Sequence, residues 1–149
     1  MKDRRPFFAA CCFAATAVSL MLTGCDSSES RARQALADYQ AASASGDLGA
    51  ARIALLQLVA AEDDNSSNWQ ELGKVQIQLG SYSDAYYAFT RAYELDKSNP
   101  QLLSSLTQLA LLSGNIDVAE DHAQKLELLA PDHPAVTLSY GYVALRRGD

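Results

Sequence analysis

Gly46, Gly80, Gly114 and Gly148 recur along the chain, each 34 residues after the last. Ala51, Ala85 and Ala119 keep the same stride, five positions further on. A fixed period of this size marks a repeat array. Each repeat is one supersecondary unit that cannot bury its apolar face alone. Neighbours therefore stack into a solenoid with an extended concave surface. Such surfaces bind other proteins, so the period predicts an interaction scaffold before any catalytic residue is considered.

The register is clearest in residues 66–99. This unit carries Trp69, Leu72-Gly73, Gly80, Tyr82, Ala85, Phe89, Ala92 and Leu95. Trp69, Leu72 and Gly73 fall on one face of a helix. Gly80 suits the left-handed residue that ends it. Ser81-x-x-Asp84 reads as a capping box for a second helix, and Ser67-x-x-Gln70 as a capping signal for the first. Ala85, Phe89 and Ala92 line the second helix's buried face, while Trp69 and Phe89 fill space between units. The pattern W-x2-L-G followed by A-x3-F resembles the tetratricopeptide repeat, a helix–turn–helix unit. The same frame divides the chain into repeats 32–65, 66–99 and 100–133 and a partial repeat 134–149. The resemblance implies an all-α fold, a right-handed superhelical solenoid of three hairpins and one further helix. Gln76 stands where the family often has an aromatic, and Lys97 where it often has proline. Tyr39 fills the small-residue position held by Gly73 and Gly141, so the first unit reads as a degenerate end repeat.

Residues 1–25 differ in kind. Lys2, Arg4 and Arg5 form a basic head, Pro6 to Cys25 carries no charge, and Leu22-Thr23-Gly24-Cys25 closes the segment. This is the layout of a secretory signal. Its last four residues resemble the bacterial lipobox. That resemblance implies a signal peptide over 1–24, a lipidated Cys25 as the new first residue, and a polar linker over 25–31. An uncleaved signal anchor is the other reading, and both place the repeats outside the cytoplasm. Several acyl chains give stable anchoring. Asp26 favours retention in the inner membrane by the enterobacterial rule, with the outer membrane as the other option. The full chain carries a net charge of −6, and removing Lys2, Asp3, Arg4 and Arg5 takes away +2 to leave −8. An acidic domain has no electrostatic footprint for nucleic acid. Cys11 and Cys12 are lost with the signal and Cys25 is taken by lipid. The remaining chain then has no thiol for disulfide, metal or catalysis.

Other constellations read as structure. His122 falls in Glu120-Asp121-His122 and reads as part of a solvated helix face; His133 lies in an inter-repeat turn. Neither has the companions a metal site needs. Glu62-Asp63-Asp64-Asn65 lacks the glycine and terminal glutamate of a calcium loop. Arg147-Gly148-Asp149 repeats the Gly46-Asp47 turn. No nucleophile, zinc or phosphate-loop motif occurs, so neither an enzyme nor a cofactor is expected.

The resemblance places partner binding on the first helix of each unit. Its matching rows are Gln40, Lys74, Gln108 and Tyr142; Ser43, Ile77, Leu111 and Leu145; and Leu36, Gln70, Ser104 and Leu138. Gln40, Gln70, Lys74, Ile77, Gln108, Leu111 and Tyr142 form the candidate groove. Lys74 is the sole basic residue of those rows and asparagine is absent, which disfavours a carboxylate clamp. A groove for an extended or helical segment fits better; the alternative is that Ile77, Leu111 and Leu145 pack between units. The expected function is a lipid-anchored scaffold for envelope, pilus or secretion-apparatus assembly. The alternative is a regulatory or substrate-recruiting arm of an envelope enzyme or polysaccharide-export system. The helix expected over 134–147 carries apolar residues around its circumference. Either further repeats follow Asp149 or this helix pairs with another chain.

Overall fold

The computed structural model describes residues 27–148. The signal segment, Cys25, Asp26 and Asp149 lie outside the described residues. The described residues form α1 (Ser28–Ser45), α2 (Leu48–Ala61), α3 (Ser66–Gln78), α4 (Tyr82–Leu95), α5 (Pro100–Leu112), α6 (Ile116–Leu129) and α7 (Pro134–Arg147). They stack as three hairpins, α1–α2, α3–α4 and α5–α6, and α7 packs on α5 and α6. The architecture is an all-α solenoid. Helix α1 already runs from Ser28, so part of the expected polar linker forms its first turn.

The glycine stride is a stride of turns. Gly46, Gly80, Gly114 and Gly148 all sit at φ between 72° and 82°. A side chain there costs free energy that glycine avoids. After the first three, the next N–H reaches back over the helix end: Asp47 to the Ala42 carbonyl at 3.0 Å, Ser81 to Gln76 and Asn115 to Ala110 at 2.9 Å. That closure satisfies carbonyls the helix leaves unpaired.

The caps depart from the sequence expectation. Asn65, not Ser67, caps α3; its side chain accepts from the Ser67 N–H at 3.1 Å. Ser81 stands at the N-cap of α4 but makes no side-chain cap bond. Its ψ of 66° falls short of the extended conformation that aims a capping oxygen at the first turn. Asp47, at ψ 90°, does cap α2, through the Ala50 N–H at 2.9 Å.

Small residues set the close spacing within hairpins. Ala32, Ala35, Ala42, Ala51, Leu55, Leu58, Val59, Leu72, Val75 and Ala88 form one buried cluster across α1 to α4. Ala85, Phe89, Ala92, Leu102, Leu106 and Leu109 form a second, between hairpins two and three. Leu103, Leu126, Ala135 and Val136 join α5, α6 and α7 in a third. Trp69 packs against the first two clusters and so spans the joint between them. Gly73 admits the Phe89 ring: a Cβ built on it would lie 2.7 Å from Cε2.

Gln76 is an inconsistency in this core. It is 4% exposed, and its Oε1 meets no donor among the described residues. A buried unsatisfied amide is costly, and an apolar group of similar shape removes the cost. Gln76→Leu should raise stability by about 1–2 kcal/mol in denaturant melts. An unchanged or lower midpoint would show that the amide is satisfied in solution.

His122 does not lie on a solvated face. Its side chain is 12% exposed, because this position of α6 turns toward the preceding hairpin. Nε2 stands 2.9 Å from Tyr86 Oη on α4, while Nδ1 is buried with no hydrogen-bond partner among the described residues, 4.0 Å from Asp121 Oδ2. Burial, helped by Lys125 and opposed by Asp121, holds its pKa below the ordinary histidine value. The unfolded chain therefore takes the proton first as pH falls. The contribution is full above about pH 6.5 and declines as pH drops from there toward the folded value. Melts between about pH 7.5 and 5 should show this decline, and His122→Gln should flatten it. Parallel curves for the two chains would assign the slope to other groups.

Candidate functional site

Helices α1, α3, α5 and α7 are the first helices of successive units, and together they make the face that curves inward in such a solenoid. The predicted rows lie along these four helices. Gln40, Lys74, Ile77 and Gln108 are exposed; Gln70, Leu111 and Tyr142 are partly buried. Of the neighbouring positions, Ser43, Leu36, Leu138 and Leu145 are exposed, while Ser104 is buried. Ile77 and Leu145 thus keep side-chain surface in solvent, and Leu111 alone of its row turns partly inward.

Two clefts run along the face. One, of about 300 Å³, is lined by Tyr39, Ser43, Glu71, Lys74 and Gln78 between α1 and α3. The other, of about 650 Å³, is lined by Ser104, Gln108, Pro134, Thr137 and Leu138 between α5 and α7, with His133 at its edge. The first is mixed, since Ala42, Leu48, Ala51 and Val75 also line it, and the second is mainly apolar, so the face changes character along its length.

The polar groups of the first cleft are tied to one another. The Lys74 ammonium donates to Glu71 Oε1 at 2.7 Å, and Tyr39 Oη donates to Glu71 Oε2 at 3.0 Å. Burial pushes the Tyr39 phenol up, against a lowering bond with Ser43. The phenol therefore stays protonated and remains a donor at neutral pH. Glu71 cancels most of the Lys74 charge at short range, and the pair is exposed enough for solvent to weaken it further. What remains for a ligand is amides, hydroxyls and aliphatic surface. Sequence reasoning missed Tyr39 and Glu71 as site residues. Tyr39 was read only as a departure from the repeat pattern. That departure is the signal: an aromatic at the small-residue position reaches across to the next unit's first helix.

At the far end Arg147 donates to Asp117 Oδ1 at 3.0 Å and Glu120 Oε2 at 2.8 Å, tying α7 to α6. Tyr140 Oη donates to Glu127 Oε2 at 2.7 Å. No group of three or more His, Cys, Asp or Glu is placed to hold a metal ion among the described residues. No helix among them is long and apolar enough to cross a membrane.

Comparison with known proteins bears on the fold. The sequence profile of the tetratricopeptide repeat matches residues 76–139. No curated protein matches the chain in sequence. A crystal structure of MamA superposes at a TM-score of 0.73 with 18% identity, covering 80% of this chain and 66% of that one. The chain thus spans just under two thirds of that MamA chain's length. The Arabidopsis OM64 TPR domain superposes at 0.67 with 12% identity, covering 80% of this chain and 98% of that one. The Yersinia enterocolitica type III secretion chaperone SycD, solved with a peptide of the translocator YopD, superposes at 0.64 with 19% identity, covering 83% and 97%. Repeat profile, helix order and these superpositions agree: the chain has the all-α fold of a tetratricopeptide-repeat solenoid.

Proposed function

We propose that this chain is a non-enzymatic scaffold, held by lipid on Cys25 at the periplasmic side of a bacterial membrane, whose inner face holds partner proteins during envelope, pilus or secretion-apparatus assembly. The observation that carries the binding reading is the charge-poor inner face on an acidic chain. Amides and hydroxyls of Gln40, Gln70, Gln108 and Ser43 stand beside Ile77, Leu111 and Leu138, and the one lysine is matched by Glu71. Such a face suits a segment bound through its backbone and aliphatic side chains. SycD, of the same fold, is solved with a peptide. The tether rests on the Leu22-Thr23-Gly24-Cys25 box after an uncharged stretch.

Photo-cross-linking amino acids placed at Gln108 and Tyr142 should trap the partner in membranes, while one at Glu94, an exposed residue of α4, should not. Leu138→Asp should cut the yield about tenfold or more, because the partner would bury an unpaired charge. Equal trapping from Glu94 and Gln108 would move the binding surface off the inner face. Mass analysis of the native protein tests the tether separately. A diacylglyceryl mass on Cys25 supports it, and an unmodified Cys25 sulfur refutes it.

A further inference from the structure

We propose that the outward stripe of α2, with the first turns of α1 beside it, is a membrane-contact surface that lies against phospholipid headgroups. This rests on the lipid tether at Cys25 set out above. The tether is short. Ser28, the first residue of α1, follows Cys25 by three residues, which span at most about 11 Å. The polar interface of a bilayer is about 5–8 Å deep on each side. The first hairpin is therefore held against the membrane, and one of its sides meets lipid.

Helix α2 has the side that fits. Ile53, Leu56, Gln57 and Ala60 are exposed, at the spacing of one helix face. Ile53 is 55% exposed and Leu56 46% exposed. No acidic residue stands from Leu48 to Ala61, and Arg52 is the one charge of the helix. At the matching positions of later units Ile53 gives way to Tyr87 and Asp121, and Leu56 to Thr90 and Gln124. The stripe thus turns polar with distance from the tether. A helix of 14 residues is about 21 Å long. It is too short to cross a bilayer, so it lies along the interface with its apolar stripe inward.

The cleft beside the stripe suits a headgroup. It holds about 500 Å³ and is lined by Ser30, Arg31, Gln34, Gln57, Ala60 and Ala61, where the start of α1 meets the end of α2. Arg31 and the two glutamine amides supply donors for a phosphodiester. Charge points the same way. Residues 27–61 carry three carboxylates and three guanidinium groups, a balance of zero. Residues 62–133 carry twelve carboxylates against four lysine and arginine side chains. An anionic lipid surface repels the second set and not the first. Contact through α2 puts the balanced hairpin on lipid and spares the acidic ones.

The test uses the full chain in its own membranes. A photo-cross-linking residue replaces Ile53 in one variant and Leu36 in another. Both sites are apolar and about half exposed, at 55% and 43%. Each lies eight residues from the tethered end of the hairpin, counted from Ala61 and from Ser28. They differ in face, since Leu36 stands in the rows predicted for the inner face. Phospholipid adducts, identified by peptide mass, should be at least about tenfold more abundant at position 53. With the probe at Gln57, Ile53→Gln together with Leu56→Gln should cut the adduct about fivefold or more, at unchanged helix content. Equal adducts at 53 and 36 overturn the proposal, because the tether alone would then bring lipid to either face. Adducts at 53 with a protein, or with residues 6–24, in place of phospholipid overturn it too. The mass of Cys25 in the same sample keeps the two readings apart. A lipidated Cys25 without phospholipid at 53 overturns the contact and leaves the tether. An unmodified Cys25 with phospholipid at 53 overturns the tether and leaves the contact.

Discussion

Phe89→Ala should lower the stability of the chain by about 3–5 kcal/mol. The ring is 1% exposed. It lies among Ala85 and Ala92 of its own helix and Leu102, Leu106 and Leu109 of α5. Its Cε2, Cδ2 and Cζ come within 2.7, 2.8 and 2.9 Å of a Cβ built on Gly73. Truncation leaves a cavity at the meeting of three helices, where no single backbone shift can close it. Gly73→Ala probes the same contact from the other side. Alanine gains about 1 kcal/mol of helix preference. Forcing a methyl against a ring that cannot move costs about 1–3 kcal/mol. The net is a loss, because the ring is walled in by α5. Combining Gly73→Ala with Phe89→Leu should cost less than the two changes add up to separately, since the smaller side chain yields the space. Denaturant melts read all of these. A loss below about 1 kcal/mol for Phe89→Ala would mean that the ring is not what spaces the hairpins.

The fold was legible because its turns are chemically demanding. A left-handed residue at each helix end selects glycine, so Gly46, Gly80, Gly114 and Gly148 display the period directly. Ala85 and Ala92 are fully buried in the cluster between hairpins two and three, and this too selects residue type. Capping was less legible. Ser81 and Asn115 both occupy N-cap positions without a side-chain bond, at ψ of 66° and 75°. Residue type alone does not report that angle. His122 was misread for a related reason: its sequence neighbours are Asp121 and Glu120, but Tyr86 of another hairpin decides its environment.

The candidate site was legible as rows of equivalent positions and not as chemistry. Repeat spacing assigns Gln40, Lys74, Gln108 and Tyr142 to equivalent positions, since equivalent residues of stacked units share a face. It does not reveal that Glu71 takes up the Lys74 charge, or that Tyr39 secures Glu71 from the next helix. Those bonds cross between units, and their geometry depends on how far one hairpin is rotated on the last. Ser104, in the same row as Gln70, is buried on α5, against which α7 packs. The consequence is functional: the cleft between α1 and α3 offers a ligand little net charge, whereas the bare sequence shows a lysine.

Trp69→Ala should cost about 3 kcal/mol and, more tellingly, uncouple the first hairpin from the rest. The indole packs against the cluster of α1, α2 and α3 and against the cluster of α4 and α5. It is only partly buried, so its transfer term falls at the lower end of the range for a core aromatic. Its edge meets Tyr87 at 5.9 Å and 80°, a favourable geometry that adds about 0.5–1.5 kcal/mol. Arg91 lies 5.8 Å from the ring centre and adds roughly another 0.5–1 kcal/mol. The Nε1–H bond to the Asp63 carbonyl, at 2.9 Å, contributes less because water can replace it. In a solenoid each unit is stabilised mainly by its neighbours, so damage to one joint is felt most by the shorter fragment. That fragment is α1–α2. Hydrogen exchange should show amides of Ala51, Leu55 and Leu58 opening at lower free energy than those of Leu103 and Leu106 in the variant, a gap absent or smaller in the parent chain. Trp69→Phe retains a ring at the joint and should restore most of the coupling. If exchange accelerated equally across all three hairpins, the indole would be a contributor to general stability and not the link between them.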